Sequence, residues 1–435
     1  TAKEENVDAI GLSGLITPSL DEMVFLAKEM QRQNFKVPLL IGGATTSKAH
    51  TAVKIDPEYE CAVVHINDAS RAVTVVGDLL KKETSDLYKF NLKKEYDIFR
   101  EDFLKRQKVK TYLSISEARK NKFQIDWNTS EIKKPNQLGV QVLNDFDLSI
   151  LKEYIDWTPF FRSWELHGKY PNILKDEVVG KQATELFADA QKMLDKIISE
   201  KLLEARAVFG IFEANTVNDD DIIIQNSEFR IQNYFFRTLR QQSQKAAGKP
   251  NLALADFIAP KETGIQDYIG CFCVSTGFGT AELASKYEKE HDDYNSIMVK
   301  ALADRLAEAF AEYLHKKVRT EYWGYASEEN LSNEDLISEK YKGIRPAPGY
   351  PACPDHLEKL TIWEVLKVKE NIGVELTESL AMWPAASVSG YYFANPEARY
   401  FGLGKIKEDQ VEDFAKRKNM NLEEATNWLK TNLAD

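Results

Sequence analysis

Residues 343–356 read Gly-Ile-Arg-Pro-Ala-Pro-Gly-Tyr-Pro-Ala-Cys-Pro-Asp-His. Four prolines and two glycines in one short run exclude both helix and central strand. Each proline lacks an amide donor and restricts the residue before it. The segment therefore predicts a stiff, extended rail of free carbonyls, with Arg345 towards one end and Tyr350 towards the other. A guanidinium grips a carboxylate with two parallel hydrogen bonds, and a pre-stiffened backbone loses little entropy when a ligand docks on it. On composition alone the same run also reads as a rigid surface loop.

A chain of 435 residues exceeds one ordinary core and predicts two or three domains. A hydrophobic content of 43% with 29% charged residues is that of a globular protein. The net charge of −11 argues against a nucleic-acid surface, which needs a basic face. No apolar run approaches the ~18 residues that a membrane span requires. Four cysteines are too few and too scattered for a disulfide framework, which points to a reducing compartment. Cys271 and Cys273 stand at strand spacing and are expected to be buried on one side of a sheet. No second Cys or His cluster completes a metal site with them. No initiator Met is present and an apolar strand begins within the first ten residues, so the chain reads as a fragment cut inside a domain.

Over residues 1–85 three apolar runs appear, Val7 to Leu12, Val37 to Ile41 and Cys61 to Ile66, each followed by a turn and a helical pattern. This is the rhythm of a parallel sheet covered on both faces. Ser19 with Glu22 suggests a capping box for the first helix, whose Met23, Leu26, Ala27 and Met30 recur at helical spacing. Ligands of such sheets bind beyond the carboxyl ends of the strands. Those ends are 13–17, 42–44 and 67–70, all rich in small residues and hydroxyls.

Residues 86–110 are densely charged, with Tyr96, Phe99 and Phe103 as a sparse apolar stripe, and suit a solvated helix or linker between domains. Beyond them the elements do not alternate. Ala207 to Phe212, Asp221 to Gln225, Tyr268 to Val274 and Arg399 to Ile406 read as strands. Gln182 to Glu204, Asp292 to Trp323 and Glu408 to Lys418 read as helices. The expected fold class is therefore an α/β, partial doubly wound (Rossmann-like) sheet followed by an α+β domain over 111–435. No glycine-rich nucleotide loop follows a strand there. No Ser/His/Asp or Cys/His constellation marks a catalytic residue.

The proline-rich run, Tyr154-Ile-Asp-Trp-Thr-Pro-Phe-Phe161, Gly168-Lys-Tyr-Pro171, His291-Asp-Asp-Tyr-Asn295, Tyr322-Trp-Gly-Tyr325 and 382–390 (Met-Trp-Pro-Ala-Ala-Ser-Val-Ser-Gly) together resemble one family. It is the S-adenosylmethionine-binding activation domain of cobalamin-dependent methionine synthases. Ser13-x-Leu15 with Gly42-Gly43 resembles the second half of the cobalamin-binding domain of the same family. The family's Asp-x-His-x-x-Gly motif, whose His ligates cobalt, is absent, and His50 and His65 stand outside any such context.

The resemblance implies that Ser13, Thr17, Gly42, Gly43 and Ala69 contact the tail of cobalamin. It assigns Asp156 to the amino group of S-adenosylmethionine and Arg345 to its carboxylate. The backbone from Arg345 through Gly349, with small residues at Ala347 and Gly349, would take adenine and ribose. Tyr350, Tyr400 and Phe401 would line the ligand, and Glu308 and Glu339 would lie near the sulfonium. On the residues alone, Asp156 equally reads as a helix cap, Glu308 and Glu339 as exposed helix charges, and Tyr400 and Phe401 as alternate faces of a strand.

The implied activity is a repair reaction of a cytoplasmic enzyme. Oxidised cob(II)alamin is returned to methylcobalamin by S-adenosylmethionine and an electron from flavodoxin or a flavoprotein reductase. The homocysteine and folate modules of the full-length chain, with the zinc of the former, would precede this portion. A non-catalytic S-adenosylmethionine sensor and a corrinoid protein serving another methyl acceptor are the alternatives.

Overall fold

The computed structural model describes residues 2–14, 18–43, 46–66, 69–81, 83–106, 111–225 and 233–434. The chain divides into two compact units, Thr1–Lys110 and Thr111–Asp435.

In the first unit, β1 (Ile10–Ser13), β2 (Leu39–Gly42) and β3 (Val63–His65) form a parallel sheet in that order. Helix Pro18–Arg32 lays Met23, Ala27 and Met30 on Leu39, Ile41 and Val63. The opposite face packs Val64 and Ile66 against Leu79, with Leu40, Ala72 and Val75 around them. Both faces are thus covered, which is why the strands read as continuous apolar runs. The first helix begins at Pro18, so Ser19 lies inside its first turn instead of capping it. Proline suits that first position because its missing amide would have no partner there.

The stretch expected as a solvated helix or linker is one helix, Ser85–Arg106, and it packs on this unit. Tyr96 is buried and its hydroxyl accepts the His65 amide at 3.1 Å. Arg100 donates to the Asp56 carboxylate and to the Ala52 carbonyl, each at 2.6 Å. A few inward groups anchor the helix while its many charges remain solvated, so composition alone hides the packing. Residues 107–110 lie outside the described residues.

In the second unit, β4 (Gly139–Phe146), β5 (Glu204–Val217), β6 (Asp221–Gln225), β7 (Tyr234–Arg237) and β8 (Asp267–Phe278) precede the short β9 (Glu375–Leu376) and β10 (Met382–Trp383) and the final β11 (Ser387–Tyr392). β9 and β10 pair with each other. The rest form an antiparallel sheet in the order β11-β8-β5-β6-β7, with β4 also on β5. β5 is central: β8 runs along one edge, while β4 and β6 share the other, pairing with its first and second halves.

Helices Gly180–Ser199 and Asp293–Lys317 cover one face through Ala207, Phe209, Ile211, Phe272 and Val274. Helices Glu358–Leu366 and Val368–Ile372 cover the other through Val208, Phe212, Cys271 and Cys273. The two cysteines do share a face, and burial pushes both thiols well up. At one end of the sheet the fully buried Arg240 bridges Asp220 at 2.7 Å and both oxygens of Asp256 at 2.7 and 2.8 Å.

Three sequence expectations shift. The helix expected to reach Glu204 ends at Ser199, and β5 begins at Glu204. The long helix ends at Lys317 and passes into a wider turn, Val318–Tyr322. Arg399 to Ile406 is not a strand. Its pairing is piecemeal: the Leu403 amide donates to the Pro351 carbonyl and that of Ile406 to Asn432, both at 2.7 Å. Ile406 makes a single bridge with Leu433, and no strand among the described residues lies alongside.

Candidate functional site

The proline-rich run continues the sheet edge. Ile344 and Phe393 exchange two backbone bonds of 3.0 Å, and the Tyr391 amide donates to the Pro346 carbonyl at 2.9 Å. The run then turns: the Tyr350 amide donates to Ala347, that of Cys353 to Tyr350, and that of Gly349 to the Cys353 carbonyl. The rail is therefore less open than composition implies. The carbonyls of Ile344, Pro346, Ala347, Tyr350, Pro351 and Cys353 all accept amides of the chain itself. Gly349 has φ +94°, and a Cβ there would stand 2.4 Å from the His356 ring. Gly349 serves the turn and is not on the cavity wall.

Beside the rail lies a cavity of about 480 Å³. Phe272 of β8 and Val388 of β11 line it; Val388 falls in the 382–390 motif, whereas Phe272 carries no sequence signal beyond burial. Seven residues expected at a ligand site line it: Arg345, Ala347, Tyr350, Glu308, Glu339, Tyr400 and Phe401. Glu308 comes from the long helix. Glu339 is not on a helix: it follows the short helix Asn333–Ile337 with φ +54°, an uncommon conformation for a residue with a Cβ. Tyr400 and Phe401 come from the irregular stretch, and the Tyr400 hydroxyl accepts the Arg345 amide at 2.9 Å.

Arg345 is mostly buried, and its Nη2 donates to Glu312 Oε2 at 3.1 Å. Desolvation acts to lower the guanidinium pKa; the charge of Glu312, with Tyr341, Tyr400 and Glu308, outweighs it and holds Arg345 above its ordinary value. No described residue accepts from its Nε. Burial pushes the Glu312 carboxyl up, while Arg345 and Arg319 pull it down. His315, one turn on, is fully buried, and desolvation followed by the charges of Arg319 and Arg345 keeps its ring neutral. Glu312 was not foreseen, because a glutamate inside an apolar helical pattern looks like any other helix charge.

Asp156 is not part of the cavity wall. It caps helix Trp157–Ser163, accepting the Thr158 amide at 2.9 Å. A second recess of about 610 Å³ is formed by Gly277–Thr280, Lys300, Asp304 and Trp383–Ala386. Asp304 precedes Glu308 by one turn of the long helix, so the two recesses neighbour each other along it.

In the first unit, Ser13 and Gly42 end β1 and β2 as register partners. Gly43 follows with φ +105° against the backbone of Gly14. Ala69 opens helix Ala69–Leu80. Thr17, Ala44, Asn67 and Asp68 lie outside the described residues. His65 ends β3, its Nε2 3.3 Å from the Thr46 hydroxyl. Among the described residues no group of three His, Cys, Asp or Glu side chains is placed to hold a metal ion. No described helix is long and apolar enough to cross a membrane.

A guanidinium and two carboxylates around an apolar floor define the second unit as a binding domain for a small organic ion that carries both charges. Residues 147–419 match the family model described as vitamin B12 dependent methionine synthase, activation domain. The chain belongs to that family. It is also similar to a solved structure, the crystal structure of the MetH reactivation domain bound to AdoHcy. The two are 54% identical with a TM-score of 0.72, over 74% of this chain and 99% of that one.

Proposed function

We propose that residues 111–435 bind S-adenosylmethionine in the 480 Å³ cavity and hold its methyl group for the reductive methylation of cobalamin. The observation that carries this reading is Arg345, a charged wall residue whose Nε has no partner among the described residues. AdoHcy, found in the related structure, is S-adenosylmethionine without the transferred methyl, so both offer Arg345 the same carboxylate.

In this reading Arg345 grips the carboxylate. Tyr350 and Phe401 flank the adenine over the floor of Phe272 and Val388. Glu308 and Glu339 face the sulfonium, where two negative charges favour the cation. Asp156 would reach the ligand's amino group only from its capping position. The protein thereby contributes placement, with no side chain acting as nucleophile. Cobalamin, when bound, supplies the cobalt centre that accepts the methyl group, with an electron from flavodoxin or a flavoprotein reductase. Ser13, Thr17, Gly42, Gly43 and Ala69 are the residues that would hold its tail, and the small side chains at the strand ends suit that role.

Calorimetry of S-adenosylmethionine on the whole chain tests the assignment. Arg345→Ala is expected to weaken binding by about 10- to 100-fold, the loss of a charged hydrogen bond. Undiminished affinity in a folded variant would refute it.

A further inference from the structure

We propose that Glu312 is a positioning residue for the ligand's carboxylate, acting through Arg345. This rests on the reading that Arg345 grips that carboxylate.

The geometry is a closed circuit behind the cavity. Glu312 stands one turn beyond the wall residue Glu308, and its Oε2 accepts from Arg345 Nη2 at 3.1 Å. Its Oε1 lies 3.9 Å from Nη1 of the fully buried Arg319. Arg319 is itself fixed, its Nε and Nη2 donating to Glu329 at 2.8 to 3.1 Å. It also lies over the Tyr341 ring at 4.3 Å. The Tyr341 hydroxyl is 3.2 Å from that of Tyr400, which accepts the Arg345 amide. Arg345 is thus held at both ends, its backbone by Tyr400 and its guanidinium by Glu312.

That hold decides which donors remain. A guanidinium is a rigid fork whose donors are fixed relative to one another. With Nη2 anchored on Glu312, the orientation of the fork is set, and the buried Nε has no partner among the described residues. Two guanidiniums and two carboxylates, Arg319, Arg345, Glu312 and Glu329, balance in charge before any ligand arrives. Without Glu312, Arg345 keeps its charge but loses the group that holds its guanidinium, and Arg319 keeps Glu329 alone.

The test compares S-adenosylhomocysteine with 5′-methylthioadenosine, which keeps the adenosine and sulfur but has no carboxylate. Calorimetry gives the ratio of the two affinities for the whole chain and for Glu312→Ala, Glu312→Gln and Arg345→Ala. The expected result is a fall of about 10-fold or more in that ratio for Glu312→Ala, with methylthioadenosine binding unchanged. Glu312→Gln, which keeps an oxygen for Nη2, restores the ratio to within about 3-fold of wild type. If Glu312→Ala does not fold, Glu312→Asp, which draws the carboxylate back by one methylene, is expected to show the same fall. An unchanged ratio in Glu312→Ala, beside a collapsed ratio in Arg345→Ala, overturns the role of Glu312 and leaves the Arg345 clamp standing. Equal weakening of both ligands overturns it as well, since that is mere structural damage. A wild-type chain that binds both ligands alike refutes the clamp and this inference together.

Discussion

Gly390 lies directly beneath the carbonyl of Pro346: a Cβ at position 390 would stand 2.6 Å from that oxygen. The next amide, of Tyr391, donates to the same oxygen at 2.9 Å. The stiff rail is therefore seated on β11 by one hydrogen bond and by the absence of one methyl group. The seating carries Arg345 and Ala347 to the cavity wall.

Gly390→Val is expected to lift the rail off β11. Overpacking of this kind costs about 1–3 kcal/mol. Urea unfolding should show a lowered midpoint, and calorimetry a weakened S-adenosylmethionine affinity even where the variant is fully folded. A variant with normal stability and normal affinity would contradict this account of the seating.

Glu308 is a test of where the ligand's positive charge sits. S-adenosylmethionine carries a sulfonium and S-adenosylhomocysteine does not. Glu308→Gln is expected to weaken the former by roughly 3- to 10-fold and to leave the latter nearly unchanged. Parallel loss for both ligands would remove Glu308 from the sulfonium end.

Asp355 gives the second unit a pH dependence of definite sign. Burial, helped by Glu358 and opposed by Lys418, pushes its carboxyl up from 3.8 to about 7. Burial likewise raises Asp267 to about 6. Between the unfolded and folded values the native state binds more protons than the unfolded chain, so stability falls as pH rises from about 4 to about 7 and then levels off. Asp355→Asn keeps an oxygen for the Leu357 amide, which Asp355 Oδ1 accepts at 2.8 Å, but cannot ionise. Its urea midpoint should decline less between pH 5 and pH 8 than that of wild type. Identical slopes for the two proteins would exclude Asp355 as a source.

Much of the site was legible because it is local. A proline-rich run is extended wherever it is placed, and the motifs around it named a family whose ligand contacts could be carried over residue by residue. Seven of those residues share one cavity wall. Asp156, carried over in the same way, caps helix Trp157–Ser163 and is not among the residues of that wall. Arg399 to Ile406 shows a limit of local pattern. Apolar residues there read as a strand, but a strand needs a neighbouring strand, and among the described residues only a single bridge, Ile406 with Leu433, forms beside it.

The sequence by itself determined the stiffness of the rail, the helices with a regular apolar stripe and the set of charged groups available to a ligand, since these depend on neighbours a few residues apart. Only the tertiary structure decided the cavity floor and the hold on Arg345. Phe272 and Val388 come together through the register of β8 on β11, and Glu312 meets Arg345 across 33 residues of chain. Such contacts form only when the sheet and the long helix pack on one another, and nothing in the local pattern distinguishes Glu312 from the solvated glutamates around it.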